Sequence, residues 1–403
     1  MNQNNQRWLC DKSLLKRSSS LIQQEKFTEC CDLLYPYIKR NQFNSPTTFG
    51  HSFDRYLRSY LATAAIPSDA ISTISSLCQF STSRYGQQPW TDLYYGCSEF
   101  IQGNIESAED YFLNAATNPK AYLRSSIGCQ TVRKAKFRRS LAMNNLEKIF
   151  SWAPEIKWHG RQSNVPLDSE VELPILLIVC DDIYFRKYAD SFISSTRKIS
   201  AVTLIHLHFI NPSVESEEFI KLQRRAGKWS NLNLTTEVYE GLYANNYCSV
   251  VRYIRLPFLI RYYKRPVIVS DIDATLVHDI DSYASTLASF DVVLRMKKFN
   301  VRSFPWQVIQ AGMTYVRNSQ SGIKFATFVA KYIAGVFDPF ADQDFFFLDQ
   351  NALYYAYYDL CLEAKGVRHG DFLSGYYPQF LKFRQEESRP RIGLQGLPSP
   401  VNR

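Results

Sequence analysis

The chain has 403 residues, of which 45% are hydrophobic and 21% are charged, and it carries a formal net charge of +9. This composition is typical of globular proteins and leaves room for about two or three domains of ~150 residues each. No apolar run approaches the roughly 20 residues that a membrane-spanning helix needs. The nine cysteines form no Cys-x-x-Cys pair, so they favour buried thiols over a disulfide framework or a zinc site.

The two ends of the chain and its basic segments bear on location and partners. The polar start, Met1–Gln6, lacks the apolar core of a signal peptide, and we expect a cytoplasmic protein. Five basic residues crowd the stretch 133–139, and residues 389–403 are predicted to form a flexible basic tail. The 133–139 cluster is typical of a solvated helix, but an anionic partner such as a phospholipid surface stays open. The sequence lacks zinc-finger and RNA-recognition motifs, so we expect no nucleic-acid partner.

Residues 1–150 show no period-2 alternation and are predicted to be helical. Three segments carry small or apolar anchors about four residues apart, as the second helix of a helical hairpin does. These anchors are Phe27, Cys30 and Leu34; Ala70, Ile74 and Leu77; and Ala108, Phe112 and Ala115. With Gly96 and Pro119, the third unit resembles a tetratricopeptide repeat. That resemblance implies a surface for a protein partner or for self-association, whereas an irregular helical bundle is the alternative.

A connector at 151–171, rich in proline and polar residues, precedes a predicted α/β domain at 172–388. Buried strands are predicted at 173–180, 200–209, 232–239 and 267–270, with helices between them. This order implies a mostly parallel sheet with ligand sites at the carboxyl ends of its strands.

The last of these strands ends in two carboxylates, Asp271 and Asp273. On an extended backbone, side chains two residues apart leave the same face, so both can bind one hard divalent cation. An Asp-x-Asp pair also occurs at ordinary strand-to-turn junctions. As Asp-x-Asp-x-Thr-Leu, the run is similar to the first motif of dehalogenase-like phosphohydrolases. Those enzymes place the motif after the first strand of the domain, whereas Asp271 lies 98 residues beyond Leu173, and Ala274 replaces their usual glycine.

Four motifs in order resemble GT-A glycosyltransferases of family 8 and its relatives, across residues 173–360. They are the arginine-bearing segment 252–259, the Asp-x-Asp strand 266–273, the segment 309–318 with its Ala-Gly pair, and the Asp-Gln segment 347–353. The resemblance implies a Rossmann-like catalytic domain that transfers sugar from a nucleoside-diphosphate donor, a UDP-sugar for example. The acceptor (glycan, lipid or protein) and the stereochemical outcome stay open.

The resemblance also implies roles for individual residues. Asp271 and Asp273 would hold Mn²⁺ or Mg²⁺, with His369 as a third ligand, although the lysine that accompanies this histidine in the family is absent. Arg252 would bind a phosphate or sugar oxygen, and Gly312 would leave room for the sugar ring. Asp349 would orient a sugar hydroxyl or stabilise the transition state, with Gln350 beside it. Asp181 and Asp182, at the end of the first buried strand, would meet the base or ribose, or else cap the next helix.

Two other classes stay open at this point. A metal-dependent phosphohydrolase would need a phosphate-neutralising lysine and later acidic ligands, for which Lys324 or Lys331 with Asp342 and Asp344 are the candidates. A non-catalytic scaffold would use the helical region to bind a partner, while the α/β domain served only as structure.

Overall fold

The computed structural model describes residues 3–40, 42–43, 45–62, 66–117, 128–129, 131–132, 156–159, 173–200, 203–297, 303–338, 340, 345–373 and 381–383. Several predictions lie outside these residues: the 133–139 cluster, most of the 151–171 connector, the tail, Pro119, Asp342 and Asp344. The predicted domain boundaries therefore stay predictions.

The described residues up to 117 form six helices: α1 (Gln3–Gln23), α2 (Phe27–Arg40), α3 (Pro46–Leu61), α4 (Ala70–Tyr85), α5 (Pro89–Gln102) and α6 (Ile105–Thr117). Each predicted set of anchors lies in an even-numbered helix, and α5 packs on α4 and α6. Gly96 of α5 allows a close crossing, because a Cβ there would lie 2.6 Å from the Phe112 ring of α6. The tetratricopeptide assignment itself stays a prediction.

The described residues from 156 onward form an α/β domain. Its strands are β1 (Lys157–Trp158), β2 (Ile175–Asp181), β3 (Ile205–Ile210), β4 (Leu232–Glu237), β5 (Val267–Ser270), β6 (Ala274–Leu276), β7 (Val292–Met296), β8 (Ile309–Val316), β9 (His369–Asp371) and β10 (Leu381–Phe383). Its helices are α7 (Asp182–Ile199), α8 (Val214–Arg225), α9 (Ala244–Tyr263), α10 (Ala284–Leu287), α11 (Pro305–Val308), α12 (Gln320–Val336) and α13 (Leu348–Ala356). Within the described ranges, no helix is long and apolar enough to cross a membrane.

Eight strands form one sheet in the order β1-β4-β3-β2-β5-β8-β7-β9, and β6 pairs with β10 in a separate ribbon. Strands β4, β3, β2 and β5 are parallel, whereas β8 is antiparallel to both β5 and β7. The predicted fold class, an α/β domain with a mostly parallel sheet after an all-α region, is confirmed. The carboxyl ends of β2 to β5 meet at one edge, which is the expected place for a ligand.

The apolar strands are buried on both faces, which explains why their sequences lack alternation. In β2, Ile175, Leu177 and Val179 belong to a first hydrophobic cluster. Leu176, Ile178 and Cys180 belong to a second cluster on the opposite face. Helices α9, α12 and α13 supply the first cluster, and α7 and α8 supply the second. The sheet is therefore the middle layer of three.

The helical region shares the first cluster with the α/β domain. Phe112 of α6 packs edge-on against Trp306 of α11, with ring centroids 5.2 Å apart. Tyr94 of α5 contacts Phe304, and Phe100 of the same helix contacts Tyr354 of α13. One continuous hydrophobic core thus joins the two regions.

Candidate functional site

The two predicted metal ligands lie where β5 ends. The amide of Asp271 donates to the carbonyl of Gly312 on β8 at 3.3 Å, and the amide of Ala274 donates back to the carbonyl of Asp271 at 3.3 Å. This second bond closes a turn over residues 271–274, with Ile272 buried in the second cluster. The expectation of an extended backbone between Asp271 and Asp273 is therefore wrong, because the chain turns here to enter β6.

Arg252 of α9 joins two of the predicted site residues. Its Nη1 contacts Asp271 Oδ1, its Nη2 lies 3.1 Å from Asp349 Oδ2, and its Nε donates to the carbonyl of Ser249 at 2.9 Å. The side chains of Arg252 and Asp349 are each 8% exposed, whereas that of Asp271 is 36% exposed. The structure thus brings together Arg252, Asp271 and Asp349, with Asp271 on the side that solvent reaches.

Burial and charge act against each other in this cluster. Burial raises the pKa of Asp349, although the Arg252 guanidinium acts in the opposite direction. Burial would lower the pKa of Arg252, but the charges of Asp271, Tyr253 and Asp349 raise it. Asp273, itself 7% exposed, adds a third carboxylate two residues beyond Asp271. Two carboxyl groups, those of Asp271 and Asp349, therefore share one guanidinium at this edge of the sheet.

This donor set fits a hard divalent cation. Mg²⁺ in proteins commonly takes one or two carboxylates and completes its shell with water and substrate phosphates. Among the described residues, no group of three or more His, Cys, Asp or Glu side chains is arranged to hold a metal. Asp271 and Asp273 would therefore be the protein ligands, and the ligand and water would supply the others.

His369 lies away from the two aspartates. It opens β9 and is in register with Val292 of β7, Val316 of β8 and Val267, the first residue of β5. Three strand spacings of ~4.8 Å place it roughly 14 Å across the sheet, at the end of β5 opposite to Asp271. Its ring packs against Tyr357 at 5.0 Å, and burial lowers its pKa. The structure does not bring His369 to the metal-ligand position that the resemblance implied.

Gly312 lies at an irregularity in β8 rather than in a tight turn. Ile309 and Ala311 face the first cluster, whereas Met313 and Tyr315 face the second, so the alternation of side chains is interrupted at Gly312. The pairing with β7 shifts at the same level. A bulge of this kind often holds glycine, because the residue has no side chain to place on either face. The bulge places Gly312 beside Asp271, at the edge of the sheet where the parallel strands end.

Asp349 and Gln350 occupy the first turn of α13. Asp349 Oδ1 accepts from the Gln350 amide at 2.8 Å. Oriented to donate, the side-chain nitrogen of Gln350 lies 2.6 Å from the carbonyl oxygen of Trp306 and 3.2 Å from that of Ile309. Gln350 therefore ties α13 to the start of β8, while Asp349 points at Arg252.

Asp181 and Asp182 end β2 and begin α7. Asp181 caps the helix, since its Oδ1 accepts from the Tyr184 amide at 2.9 Å. Asp182 Oδ1 accepts from the amide and the hydroxyl of Ser213 at 3.1 and 2.8 Å. Burial would raise the pKa of Asp182, but these hydrogen bonds and Arg186 lower it. The capping role is thus confirmed for Asp181, and a role toward a base or ribose stays a proposal.

A second polar network, on β3 and β4, was not predicted from the sequence. His208 Nε2 lies 2.9 Å from Glu237 Oε2, which Arg255 also reaches at 2.7 Å, and the Tyr247 hydroxyl donates to the same carboxylate. His206 lies on the same face of β3 as His208. The Thr235 hydroxyl is hydrogen-bonded to both rings, to His206 Nε2 at 2.9 Å and to His208 Nδ1 at 2.7 Å. The sequence does contain a signal for this network. His-x-His in one apolar strand and Thr-x-Glu at the end of the next strand each place two polar side chains on the same face, because they are two residues apart.

The comparisons with known proteins give remote structural likenesses only. No protein-family model matches the sequence, and no curated protein does. One similar solved structure is the WbbM bifunctional glycosyltransferase, at 14% identity and a TM-score of 0.33, covering 51% of this chain and 39% of that one. Another is the glycosyltransferase GlyE of Streptococcus pneumoniae, at 12% identity and a TM-score of 0.33, covering 50% of this chain and 46% of that one.

A third is the mannosyltransferase PcManGT of Pyrobaculum calidifontis in complex with GDP-Man and Mn²⁺, at 9% identity and a TM-score of 0.31, covering 61% of this chain and 66% of that one. The chain thus spans less than half of the first two structures. Similarity at this level carries no functional argument.

Proposed function

We propose that this chain is a metal-dependent glycosyltransferase that moves a sugar from a nucleoside-diphosphate donor to an acceptor. The observation that carries the proposal is the Arg252 bridge between Asp271, at the carboxyl end of β5, and Asp349, in the first turn of α13. The bridge holds the partly exposed carboxylate of Asp271, which suits a cation, beside the buried carboxylate of Asp349. The latter suits a sugar whose anomeric carbon becomes positively charged during transfer. Both lie at the sheet edge where parallel α/β proteins bind ligands.

Asp271 and Asp273 would hold Mn²⁺ or Mg²⁺, and the bound ion would act as a Lewis acid toward the donor diphosphate. Arg252 keeps Asp271 oriented, because its guanidinium is fixed at Nε by the Ser249 carbonyl. A fixed guanidinium also presents planar donors to a phosphate or sugar oxygen. The buried Asp349 carboxylate stabilises positive charge that develops at the anomeric carbon, and its low-polarity surroundings strengthen that interaction.

The rest of the donor would lie along the same edge. The Gly312 bulge leaves space beside Asp271 for the sugar ring, and Gln350 would support the sugar side through its contact with the start of β8. Asp181 and Asp182, which follow β2, the strand that pairs with β5, would face the ribose or base. We take a UDP-sugar as the first donor to test.

We further propose that the helical region contributes to recognition of the acceptor or of a protein partner, since it lies against α11 and α13 beside the site. A cytoplasmic location with peripheral membrane contact would suit a lipid acceptor.

The proposal is tested by measuring nucleotide release from a panel of nucleotide sugars, with Mn²⁺ and with EDTA. We expect Mn²⁺-dependent release from at least one donor by the wild type, and its loss in Asp271→Asn. Asp190→Asn, an exposed aspartate on α7, is the matched control and should behave as the wild type. Release of phosphate from simple phosphate monoesters without any turnover of nucleotide sugars would contradict the proposal and favour a phosphohydrolase.

A further inference from the structure

Three consecutive residues at the start of α13 are each tied to a different part of the molecule. Asp349 contacts Arg252 of α9, and Gln350 faces the carbonyls of Trp306 and Ile309. Asn351, which is fully buried, donates to the carbonyl of Gly128 at 3.1 Å and to the hydroxyl of Thr131. The third tie leads out of the α/β domain, to a segment more than 200 positions earlier in the chain.

The described residues of the segment 128–132, which are 128, 129, 131 and 132, are themselves fixed in place. The Thr131 hydroxyl donates to the Gly128 carbonyl at 2.9 Å, and the Thr131 carbonyl accepts from the Tyr332 hydroxyl of α12 at 2.8 Å. Cys129 and Val132 are fully buried in the first cluster. Buried hydrogen bonds of this kind are costly to leave unmade, so the segment and α13 hold each other in one arrangement.

Gly128 is required by close approach to an aromatic ring. A Cβ at this position would lie between 2.2 and 2.6 Å from three atoms of the Trp306 indole. Trp306 also stacks on Phe304 at 4.9 Å and contacts Phe112 of the helical region at 5.2 Å. The indole is therefore held between the segment and α6, and its carbonyl faces Gln350.

The first turn of α13 needs such external ties. Its N-cap residue, Phe347, has a φ of +74° and makes no side-chain capping bond. The local sequence therefore does not fix the direction in which the helix begins. The ties of Gln350 and Asn351 do so, and the direction of this turn decides where the Asp349 carboxylate lies relative to Arg252 and Asp271.

We propose that Gly128, Thr131 and Asn351 are positioning residues, which act on sugar transfer by setting the place of Asp349. This inference rests on the function proposed above and adds a requirement to it: the segment that links the helical region to the α/β domain forms part of the active-site support. The metal-binding side, Asp271 and Asp273, is held by β5 and β8 and does not depend on this segment.

The test compares Thr131→Val, which removes the hydroxyl at nearly constant volume, with Thr131→Ser, which keeps it, in the full chain. We expect Thr131→Val to lower kcat about 10-fold at saturating donor, while the Mn²⁺-dependent affinity for UDP stays within about 2-fold of the wild type. Hydrogen exchange of the amides at 348–352 should become faster in Thr131→Val. Thr131→Ser should restore both kcat and exchange.

Two results would overturn the inference while leaving the proposed function intact: wild-type kcat in Thr131→Val, or a loss of kcat that Thr131→Ser shares in full. A drop in UDP affinity as large as the drop in kcat would also contradict it, because the effect would then be general damage to the site. Failure of the proposed function looks different, since the wild type itself would show no metal-dependent binding of nucleotide and no turnover of nucleotide sugars.

Discussion

Two charged clusters lie along the same sheet and differ in how their charges are balanced. The network of β3 and β4 sets Glu237 against Arg255 and two histidines, and its His208 and Glu237 side chains are 1% and 0% exposed. The cluster at the end of β5 sets Asp271 and Asp349 against Arg252, and leaves Asp271 36% exposed. The first, here called the closed network, buries its His208 and Glu237 side chains, whereas the second, the open cluster, exposes Asp271 to solvent.

The protonation states follow this division. In the closed network, burial lowers the pKa of His206 to about 3 and also lowers that of His208, so both rings are neutral. Glu237 keeps a lowered pKa through His208 and Arg255, although burial acts to raise it. One negative and one positive charge then cancel. In the open cluster one guanidinium, that of Arg252, faces two carboxyl groups, Asp271 and Asp349, and we expect a bound cation to complete the charge balance there.

The comparison predicts its largest effect for Arg252→Met. Removing the guanidinium leaves the Asp349 carboxylate buried without its partner, which should cost about 4 kcal/mol of unfolding free energy. Because the remaining charge is negative, Mn²⁺ should restore part of this stability. Urea unfolding with and without Mn²⁺ measures both effects, and Arg252→Gln, which also removes the charge but keeps a polar side chain, serves where the methionine variant is insoluble. No gain from Mn²⁺ would contradict the open character of the cluster.

Glu237→Gln applies the same test to the closed network. The substitution leaves Arg255 and His208 without a buried anion and should cost about 3 kcal/mol. Here Mn²⁺ should give no recovery beyond that of the wild type, since the network is closed. The same urea titrations apply. A specific rescue by Mn²⁺ would show that the two clusters do not differ in the proposed way.

Asp349→Asn separates chemistry from binding within the open cluster. The amide keeps the shape of the side chain but loses the charge that faces the sugar, so kcat should fall about 100-fold, equivalent to ~2.7 kcal/mol. UDP affinity in the presence of Mn²⁺ should change little. Steady-state kinetics on the donor found by screening, beside calorimetric UDP titration, gives both values. Unchanged kcat would remove Asp349 from the proposed catalytic role.

The smallest expected effect is a pH dependence that belongs to the closed network. His206 takes up a proton near pH 6.5 when unfolded but only near pH 3 when folded, so its stabilising contribution is present above 6.5 and declines toward 3. Between about pH 8 and about pH 5 the loss should be on the order of 2 kcal/mol. His206→Gln keeps a polar side chain that cannot take up this proton and should have a flatter profile in thermal unfolding. An identical profile would contradict the assignment.

The sequence predicts the parts of this molecule that depend on local patterns. Apolar runs located β2 and β5, and the abrupt end of the β5 run located Asp271 and Asp273. The helical anchors Cys30, Ile74 and Phe112 all lie at buried positions. Each of these features depends on which residues of a single element are apolar, either as a continuous run or at helical spacing, and this can be read from the sequence.

Contacts between distant segments were not predictable in this way. Arg252 and Asp349 meet across 97 positions, and Asn351 meets Gly128 across 223, with no local signal for either. The turn at 271–274 depends on where β6 must go, and the separation of His369 from the aspartates depends on β8 entering the sheet between β5 and β7. Register and strand order are set by packing of the whole domain, so a motif alone did not fix the third metal ligand.

The most direct test of the central claim is calorimetric titration of UDP and GDP into the wild type, with Mn²⁺ and with EDTA, repeated on Asp273→Asn and on Asp190→Asn. If the open edge binds a nucleoside diphosphate through a cation, one nucleotide should bind only with Mn²⁺. The affinity should then fall by about 100-fold or more in Asp273→Asn and stay unchanged in Asp190→Asn. Equal affinity in EDTA, or full Mn²⁺-dependent binding by Asp273→Asn, would contradict the account.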